Sequence, residues 1–482
     1  MTATVPEHAG APGSADAADG SARAWPAWAT PLVIACCAGL ALASLAGPSV
    51  PTYDPTAWMI WGREIAHGTL ETSVGPSWKP LPVMVTAPLS LIGDTATADG
   101  WLVIARAGML LALVAAARVA WRLGGVVAAV VAVIALALVN SLPYHAFRGE
   151  SEGLLVALAL WAVDATQTGH HRRAFALAVL AGLLRPEVWP FVVLSGLWLV
   201  LRARRVAGTR AAAATAAAVA TIGLGLAALW FVPEKIGSGR FLRGAQRARE
   251  AVAGSPGQTD HPFLSVFTNS TGALSWPVYA GAVVAVALAG VALRRRRGGR
   301  QVAALAAAAS LLMVMVAVLA QGGFTGNLRY VMLPASLLAV LAGVGWSGVL
   351  AWTRGRAGLA AAIALAVVLA AGAAPFVAAD VSRVHRQYGK AVKEAQVYGD
   401  LPAAIAAAGG RDAILRCGPV WTSPTATQAA AWLLHVPEKA VGIHPTPPGT
   451  LFAPWYSPRV GDDRFALVAK TGRWVVRAAC VR

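Results

Sequence analysis

Residues 302–321, VAALAAAASLLMVMVAVLAQ, contain no charged side chain. An α-helix needs about 20 predominantly apolar residues to cross the hydrocarbon layer of a bilayer, so this stretch predicts a transmembrane helix. The basic cluster Arg294–Arg297 comes shortly before it. Because Lys and Arg beside a span collect on the cytoplasmic side, the helix is expected to run outward from the cytoplasm.

Apolar runs of similar length recur through the first 378 residues. The other predicted spans lie at about 28–47, 101–121, 125–144, 153–167, 211–232, 276–293, 329–352 and 357–378. The first of them lacks the short basic segment of a cleaved signal peptide, so we expect a retained helix. The run at 80–93 is bounded by Pro80 and Gly93 and is too short to cross, which suits an interfacial or re-entrant helix.

The segment 174–201 has a basic cluster at each end, so both ends are expected on the cytoplasmic side. Arg185-Pro186-Glu187 interrupts it. A proline inside a helix removes one hydrogen bond of the backbone ladder. These features predict a broken hairpin whose turn lies within the membrane layer.

The composition disfavours several classes of protein. Charged residues make up 13% of the 482 residues, which is about half of what a soluble protein carries. The net charge of +18 raises the question of nucleic-acid binding. Most Arg, however, lies in short clusters between the apolar runs, as expected for cytoplasmic loops, so nucleic acid is not an expected partner. The sequence lacks a phosphate-binding glycine loop, which disfavours an ATP-driven transporter.

We therefore predict an all-α polytopic membrane protein with about ten or eleven transmembrane helices and a small extracytoplasmic α/β domain. Residues 1–27 are expected to be a disordered cytoplasmic tail, because they are rich in Ala, Gly, Asp and Ser without apolar periodicity. Residues 28–378 are expected to form the transmembrane core, and residues 379–482 the extracytoplasmic domain. The predicted location is the cell membrane.

The C-terminal region mixes helical and strand patterns. It predicts helices at about 380–407 and 425–435, a strand at 412–417, and a hairpin of 465–468 with 474–481. Cys417 and Cys480 also lie here. A disulfide requires an oxidising compartment, and because this region is expected outside the cytoplasm we predict that the two cysteines pair; two unpaired core thiols are the alternative.

Ionisable side chains at or inside a bilayer are costly, so each of them is a candidate functional residue. Apart from the cytoplasmic clusters, one set is predicted at the external face: Asp54, Arg63, Glu64, Lys79, Arg106, Arg148, Glu150, Glu152, Arg185, Glu187, Arg240, Arg243, Arg247 and Arg329. A carboxylate can deprotonate an acceptor hydroxyl, and Arg or Lys can hold the charge on a leaving phosphate. The set favours a transfer reaction on a phosphate-linked substrate. For any single residue, the alternative is an ion pair that stabilises a loop.

Several short motifs follow one another in a recognisable order. They are Tyr53-Asp54-Pro55, Gly62-Arg63-Glu64-Ile65 with Gly68, Lys79-Pro80-Leu81-Pro82, the turn at 122–125, the pair Glu150/Glu152, and Arg329-Tyr330 with Pro334. Over roughly residues 28–345 this order resembles the GT-C superfamily of membrane glycosyltransferases, most closely the protein-O-mannosyltransferase and aminoarabinose-transferase type. Two departures stand out: Pro55 replaces a second acidic residue, and a Glu replaces the Asp of the second loop.

The resemblance implies an inverting transferase that uses a polyprenyl-phosphate-linked sugar and an extracytoplasmic glycan, lipid or protein as acceptor. It also implies that Asp54 is the general base and that Glu152 or Glu150 positions the acceptor or the base. Because Pro55 stands where a second acid is common, no metal or other cofactor is predicted, although a divalent metal is possible.

The same resemblance implies that Lys79, Arg106 and Arg329 hold the donor phosphate. Arg185 has a weaker claim, since it can pair with Glu187 in the broken hairpin. Arg240, Arg243 and Arg247 can cover the donor, or they can form a solvated loop helix.

Two non-enzymatic classes are the alternatives. A lipid or solute transporter should show an internal repeat and ionisable groups near the membrane midplane, and the sequence shows no convincing repeat. A non-catalytic envelope scaffold would tolerate replacement of Asp54 and Lys79. The sugar and the acceptor are not specified by the sequence.

Overall fold

The computed structural model describes residues 29–250 and 254–480, which form a helical core followed by a small domain with a mixed sheet. The expected tail at 1–27 lies outside the described residues. The helices of the core are α1 (Ala29–Ala43), α2 (Asp54–Ala66), α3 (Pro80–Ser90), α4 (Asp94–Ala137), α5 (Leu142–Phe147), α6 (Glu152–Gln167), α7 (His171–Gly182), α8 (Trp189–Ser238), α9 (Arg243–Ala248), α10 (Pro262–Ser270), α11 (Trp276–Arg294), α12 (Arg300–Gln321) and α13 (Met332–Gly399).

Six of the described helices are long and apolar enough to cross a membrane, namely α1, α4, α8, α11, α12 and α13. Three of them are interrupted by a glycine with positive φ: Gly125 (76°) in α4, Gly208 (82°) in α8 and Gly358 (85°) in α13. This conformation is strained for a residue with a Cβ atom, so glycine lets the chain reverse there. In α4, Ala117 and Val130 line one cleft, although a straight helix would hold them about 20 Å apart.

Each interrupted helix thus supplies two segments. With these halves counted separately, the six long helices give nine apolar segments in the described residues, and α6 and α7 add two shorter helices. The prediction of a polytopic α-helical membrane protein is confirmed. The run expected not to cross forms α3, a short apolar helix.

The predicted broken hairpin is formed by α7 and the first half of α8. The chain is extended at Arg185 (φ −147°, ψ 122°), between the two helices. The indole N–H of Trp189 donates to the carbonyl of Gly182 at 3.1 Å and closes the break. A Cβ atom at Gly196 would lie 3.3 Å from the ring of Phe175, so the two arms pack closely side by side.

Small residues let the core helices approach closely. A Cβ atom at Gly343 of α13 would lie 2.2 Å from the carbonyl oxygen of Ala128 in α4, and one at Gly345 would meet the carbonyl of Gly281 in α11. Helix contacts in membranes depend on such close packing, because lipid tails are as apolar as the side chains. The first half of α13 is therefore held tightly between α4 and α11.

The C-terminal domain combines three helices with a five-stranded sheet of order β2-β1-β3-β5-β4. Its elements are α14 (Leu401–Ala407), α15 (Gly410–Cys417), β1 (Val420–Trp421), α16 (Thr427–Leu433), β2 (Val441–Gly442), β3 (Gly449–Pro454), β4 (Ala466–Thr471) and β5 (Trp474–Ala479). β1 pairs in parallel with β2 and β3, whereas β5 is antiparallel to β3 and β4. The predicted hairpin is β4–β5.

The strand predicted at 412–417 is wrong, because these residues belong to α15. Its buried residues, Ile414 and Cys417, are three positions apart and share one helix face. In so short a segment the two periods are hard to tell apart. Cys417 and Cys480 form a disulfide bridge, with their Cα atoms 4.5 Å apart.

The C-terminal domain docks on the loops around α2 and α3. Arg63 of α2 donates to the carbonyl of Trp432 at 3.0 Å and stacks over its ring at 4.4 Å. Lys439 forms an ion pair with Glu71. These contacts place the domain against α2 and the loop that follows it.

Candidate active site

Six of the seven residues proposed for catalysis or donor binding converge at one end of the core. Each lies at the end of a helix or in a break: Asp54 at the start of α2, Lys79 just before α3, Glu150 and Glu152 around the start of α6, Arg185 in the hairpin break, and Arg329 just before α13. Helix ends and one helix break, from five parts of the sequence, therefore build one polar cluster. We call it the acid–base cluster.

Arg329 is the centre of the acid–base cluster. Its Nη2 donates to Asp54 Oδ2 at 2.6 Å and lies 3.8 Å from Glu150 Oε2, while its Nε lies 3.2 Å from Glu152 Oε1. The three carboxylates are almost completely buried. One guanidinium group thus contacts all three acids, and an anion that binds Arg329 would compete with each of them.

Arg185 makes its shortest contact to Glu152, with 2.6 Å between Nη2 and Oε1. The pairing with Glu187 that the sequence suggested is present but longer, at 3.9 Å. The guanidinium group also lies 4.5 Å from the ring centre of Tyr330, the residue after Arg329. Arg185 therefore belongs to the acid–base cluster.

Lys79 completes the cationic side of the acid–base cluster. Its Nζ donates to Ser151 Oγ at 3.0 Å and lies 4.7 Å from the ring centre of Trp58. Burial, together with the nearby positive charge of Arg185, lowers the pKa of Lys79 to about 8. The ammonium group is therefore charged at neutral pH but loses its proton in mildly alkaline solution.

The acids of the acid–base cluster differ in their protonation. Burial alone would raise the pKa of Asp54, but Arg329 and Lys79 outweigh it, so the pKa is lowered and the group is ionised. Burial and the charge of Asp54 raise the pKa of Glu150 to about 7. Glu150 therefore carries a proton for about half of the time at neutral pH.

Several buried polar atoms in the described part of the acid–base cluster have no hydrogen-bond partner. They include Oε2 of Glu150, Oε2 of Glu152, Nε of Arg329 and Nδ1 of the neighbouring His145. Such atoms are rare in folded proteins and call for an explanation. A bound ligand that supplies the missing hydrogen bonds is one explanation. Burial lowers the pKa of His145 to about 4, so its ring is neutral.

His145 was not found from the sequence. It is a lone histidine in α5, in no ligand motif, and only the fold carries it beside the acids. Within the described residues, His145, Glu150 and Glu152 form the group whose ligand atoms converge closely enough to hold a metal ion, within 4.8 Å of one another. The cations Arg185 and Arg329 already contact Glu152 and compete with a metal for it.

Arg106 is not brought into the acid–base cluster. Its guanidinium group donates to Ser44 Oγ at 2.8 Å, to Ser49 Oγ at 2.9 Å and to the carbonyl of Phe147 at 2.9 Å. These contacts tie α4 to the end of α1 and to the loop after α5. The expected role in donor binding has no support from these contacts.

The basic loop before residue 250 covers the segment that leads to Lys79. Arg243 is buried and donates to the carbonyls of Pro76 and Gly75 at 2.5 and 2.6 Å. Arg247 donates to the same Gly75 carbonyl at 3.2 Å, whereas Arg240 is exposed. Two of the three arginines thus hold the protein backbone from α9, a loop helix whose Arg243 side is buried and not solvated.

The chain has the GT-C fold. It is similar to ArnT of Cupriavidus metallidurans bound to undecaprenyl phosphate, at 16% identity over 94% of this chain and 98% of that chain, with a TM-score of 0.54. The apo state of the same protein is similar at 14% identity over the same shares, with a TM-score of 0.51. The resemblance expected from the sequence is confirmed for the fold. No protein-family model matches the chain, and no curated protein matches it significantly.

Proposed function

We propose that this protein is a membrane glycosyltransferase that moves a sugar from a polyprenyl-phosphate donor to an acceptor outside the cytoplasm, with inversion. The observation that carries the proposal is the acid–base cluster, in which three cations and three carboxylates meet at the helix ends of a GT-C fold. Ionisable groups inside a membrane protein are expensive and are typical of functional sites.

Lys79, Arg185 and Arg329 are the proposed donor site. Arginine matches a phosphate group with two parallel N–H donors, and lysine adds a compact charge. The solved structure with undecaprenyl phosphate supports this ligand class, because that protein has the same fold. Polyprenyl phosphate carries its charge next to a long apolar chain, which suits a site at the boundary between helices and loops.

Asp54 is the proposed general base. In the present structure its charge is held by Arg329 at 2.6 Å. A donor phosphate would draw Arg329 toward itself and leave the carboxylate of Asp54 less stabilised, hence more basic. The base would therefore become active only when the donor is bound.

The transfer is then a single displacement. The acceptor hydroxyl oxygen attacks the anomeric carbon of the sugar and its proton passes to Asp54. The bond between that carbon and the phosphate oxygen breaks, and polyprenyl phosphate leaves with the electron pair, held by Lys79 and Arg329. One displacement at the anomeric carbon inverts its configuration.

Glu150 and Glu152 have different proposed roles. Glu152 Oε1 contacts both Arg185 and Arg329, so this residue orients the cations. Glu150 has an unpartnered oxygen and a pKa raised by burial to about 7. It is therefore suited to receive the proton from Asp54 after transfer, and this difference favours Glu150 over Glu152 as the proposed second acid.

The proposed orientation has the acid–base cluster and the C-terminal domain outside the cytoplasm. It is supported by the basic clusters, such as Arg294–Arg297, that adjoin the opposite ends of the spans. The proposed acceptor is a glycan, lipid or protein of the cell envelope.

The test is sugar transfer by the purified full chain in liposomes. Radiolabelled undecaprenyl-phosphate pentoses and hexoses are supplied with cell-envelope material as acceptor, and labelled product is separated from donor. We expect one donor to be turned over, with the release of undecaprenyl phosphate. We also expect activity to persist in EDTA, since Lys79 and the arginines already supply positive charge. A protein that binds undecaprenyl phosphate but turns over none of these donors would contradict the proposal.

A further inference from the structure

Arg148 joins three parts of the structure next to the acid–base cluster. Its Nε donates to Thr52 Oγ1 at 2.6 Å and lies 3.0 Å from Glu394 Oε2, and its guanidinium group lies 4.9 Å from the ring centre of Tyr144. Thr52 belongs to the loop before α2, Tyr144 to α5, and Glu394 to the last turns of α13. Arg148 itself comes two residues before Glu150.

The contact with Thr52 bears on Asp54, two residues further along. The residue between them, Tyr53, has φ 56° and ψ −104°, a conformation that side chains with a Cβ rarely adopt. Such strain persists only where the surroundings hold it in place. Here the buried Thr52 is held through its side chain by Arg148 Nε and through its N–H by the Arg148 carbonyl at 3.4 Å.

A second support lies on the other side of Tyr53. Thr56 Oγ1 donates to the carbonyl of Pro51 at 3.0 Å, which closes the loop over the start of α2. The strained residue is thus fixed from the Arg148 side and from the helix side. If the first support is removed, we expect Tyr53 to relax and Asp54 to move relative to Arg329.

Glu394 has other partners besides Arg148. The hydroxyl of Tyr144 donates to both carboxylate oxygens of Glu394, at 2.8 and 3.0 Å, and Lys390 lies 3.9 Å from it. The shortest contact of Arg148 is to Thr52 instead. An arginine that served only as a surface ion pair would have no need of that contact.

We propose that Arg148 is a positioning residue, which holds Thr52 and thereby keeps Asp54 in place for sugar transfer. The inference rests on the proposed function, and it adds a residue that touches neither the donor phosphate nor the reacting carbon. Through Glu394 the same side chain links the placement of Asp54 to the helix that carries the C-terminal domain.

The test compares Arg148→Met with Thr52→Val and with the double variant. A misplaced catalytic group typically costs on the order of 100-fold, so we expect kcat to fall by about 10- to 100-fold in each single variant. Binding of undecaprenyl phosphate should change by less than about threefold, because the cations that bind phosphate are untouched. The double variant should be no slower than the slower single variant, since both changes break one connection.

Lys390→Met is the matched control. Lys390 also lies over the ring of Tyr144, at 5.3 Å, and near Glu394, but in the described part of the chain its side chain does not contact Thr52. It should therefore keep normal kcat. Thermal unfolding of every variant separates a general loss of stability from a selective loss of kcat.

The proposal is overturned if Thr52→Val keeps normal kcat, or if Arg148→Met and Thr52→Val multiply their effects in the double variant. Thr52→Val alone decides the matter if Arg148→Met does not fold. A failure of the proposed function is distinct, since the unaltered protein would then transfer no sugar at all.

Discussion

Helix α6 carries a buried acid near each end, and the two ends differ. Toward its C-terminus, Asp164 accepts from Arg118 Nε and Nη2 at 3.3 and 3.0 Å and from Arg122 Nε at 3.0 Å. Both carboxylate oxygens of Asp164 are therefore occupied. At the N-terminus, Glu152 uses Oε1 for Arg185 and Arg329, while its Oε2 has no partner.

The difference lies in how completely the carboxylate oxygens are hydrogen-bonded. Buried carboxylates are normally saturated with hydrogen bonds, as Asp164 is, because each unmet acceptor costs free energy. In the acid–base cluster, oxygens of Glu150 and Glu152 remain unmet although cations lie close by. We infer that the one end of α6 is built for stability and the other to receive a substrate.

The largest expected effect is that of Asp54→Asn, which keeps the shape of the side chain and removes the base. A positioned base contributes about 10²- to 10⁴-fold, so kcat for sugar transfer should fall by that factor. Undecaprenyl phosphate should still bind, and thermal unfolding should be nearly unchanged. Normal transfer by a well-folded variant would contradict the proposed role of Asp54 as the base.

Asp164→Asn should act in the opposite way. It leaves Arg118 and Arg122 without the carboxylate that both now contact, and breaking a buried pair typically costs about 3–5 kcal/mol. The unfolding midpoint in detergent should fall, while the fraction that remains folded transfers sugar at the normal rate. A selective loss of kcat without a loss of stability would place function at this end too.

Lys79→Met should weaken donor binding more than it slows transfer from the bound donor. A hydrogen bond to a charged group contributes about 1.5–3 kcal/mol, so the Kd for undecaprenyl phosphate should rise by about 10- to 100-fold. Since burial lowers the pKa of Lys79 to about 8, binding by the unaltered protein should weaken as pH rises above that value. The variant should lack this pH dependence, and Lys390→Met should retain it.

Glu150→Gln should have the smallest effect, and the shape of its pH profile is the sharper measurement. The pKa of Glu150 is raised by burial to about 7, so the group is neutral below that pH and ionised above it. If Glu150 must be a carboxylate to receive the proton, kcat for sugar transfer should rise as the pH increases through about 7. This rise should be absent in the variant. We expect a loss of roughly tenfold at pH 8, below the full effect of a direct base. If the pH profile of the variant matched that of the unaltered protein, Glu150 would not be the group that receives the proton from Asp54.

Much of the fold and of the acid–base cluster could be predicted from the sequence. The spans follow from apolar length, and the positions of Asp54, Lys79 and Arg329 follow from motifs at helix ends. The sequence could not place Arg106, because sequence order does not say which face of α4 it occupies, and its guanidinium group contacts Ser44 and Ser49 outside the acid–base cluster.

Pairs that depend on packing were out of reach. Asp164 meets Arg118 only because α4 and α6 lie side by side, and no local pattern links positions 46 residues apart. His145 was missed for the same reason. The strand expected at 412–417 failed because a short amphipathic segment has no clear period.

The reversal of α13 at Gly358 has a consequence for the architecture. Arg329, just before this helix, and Glu394, near its end, reach the same short loop between α5 and α6 through Glu150 and Arg148. Residues 359–399 extend about 60 Å along their axis, against a hydrocarbon layer of about 30 Å. The distance between the C-terminal domain and the acid–base cluster is thus set by contacts within the protein and not by the thickness of the bilayer. In a thicker or thinner bilayer, we expect the C-terminal domain and the acid–base cluster to keep the same distance from each other.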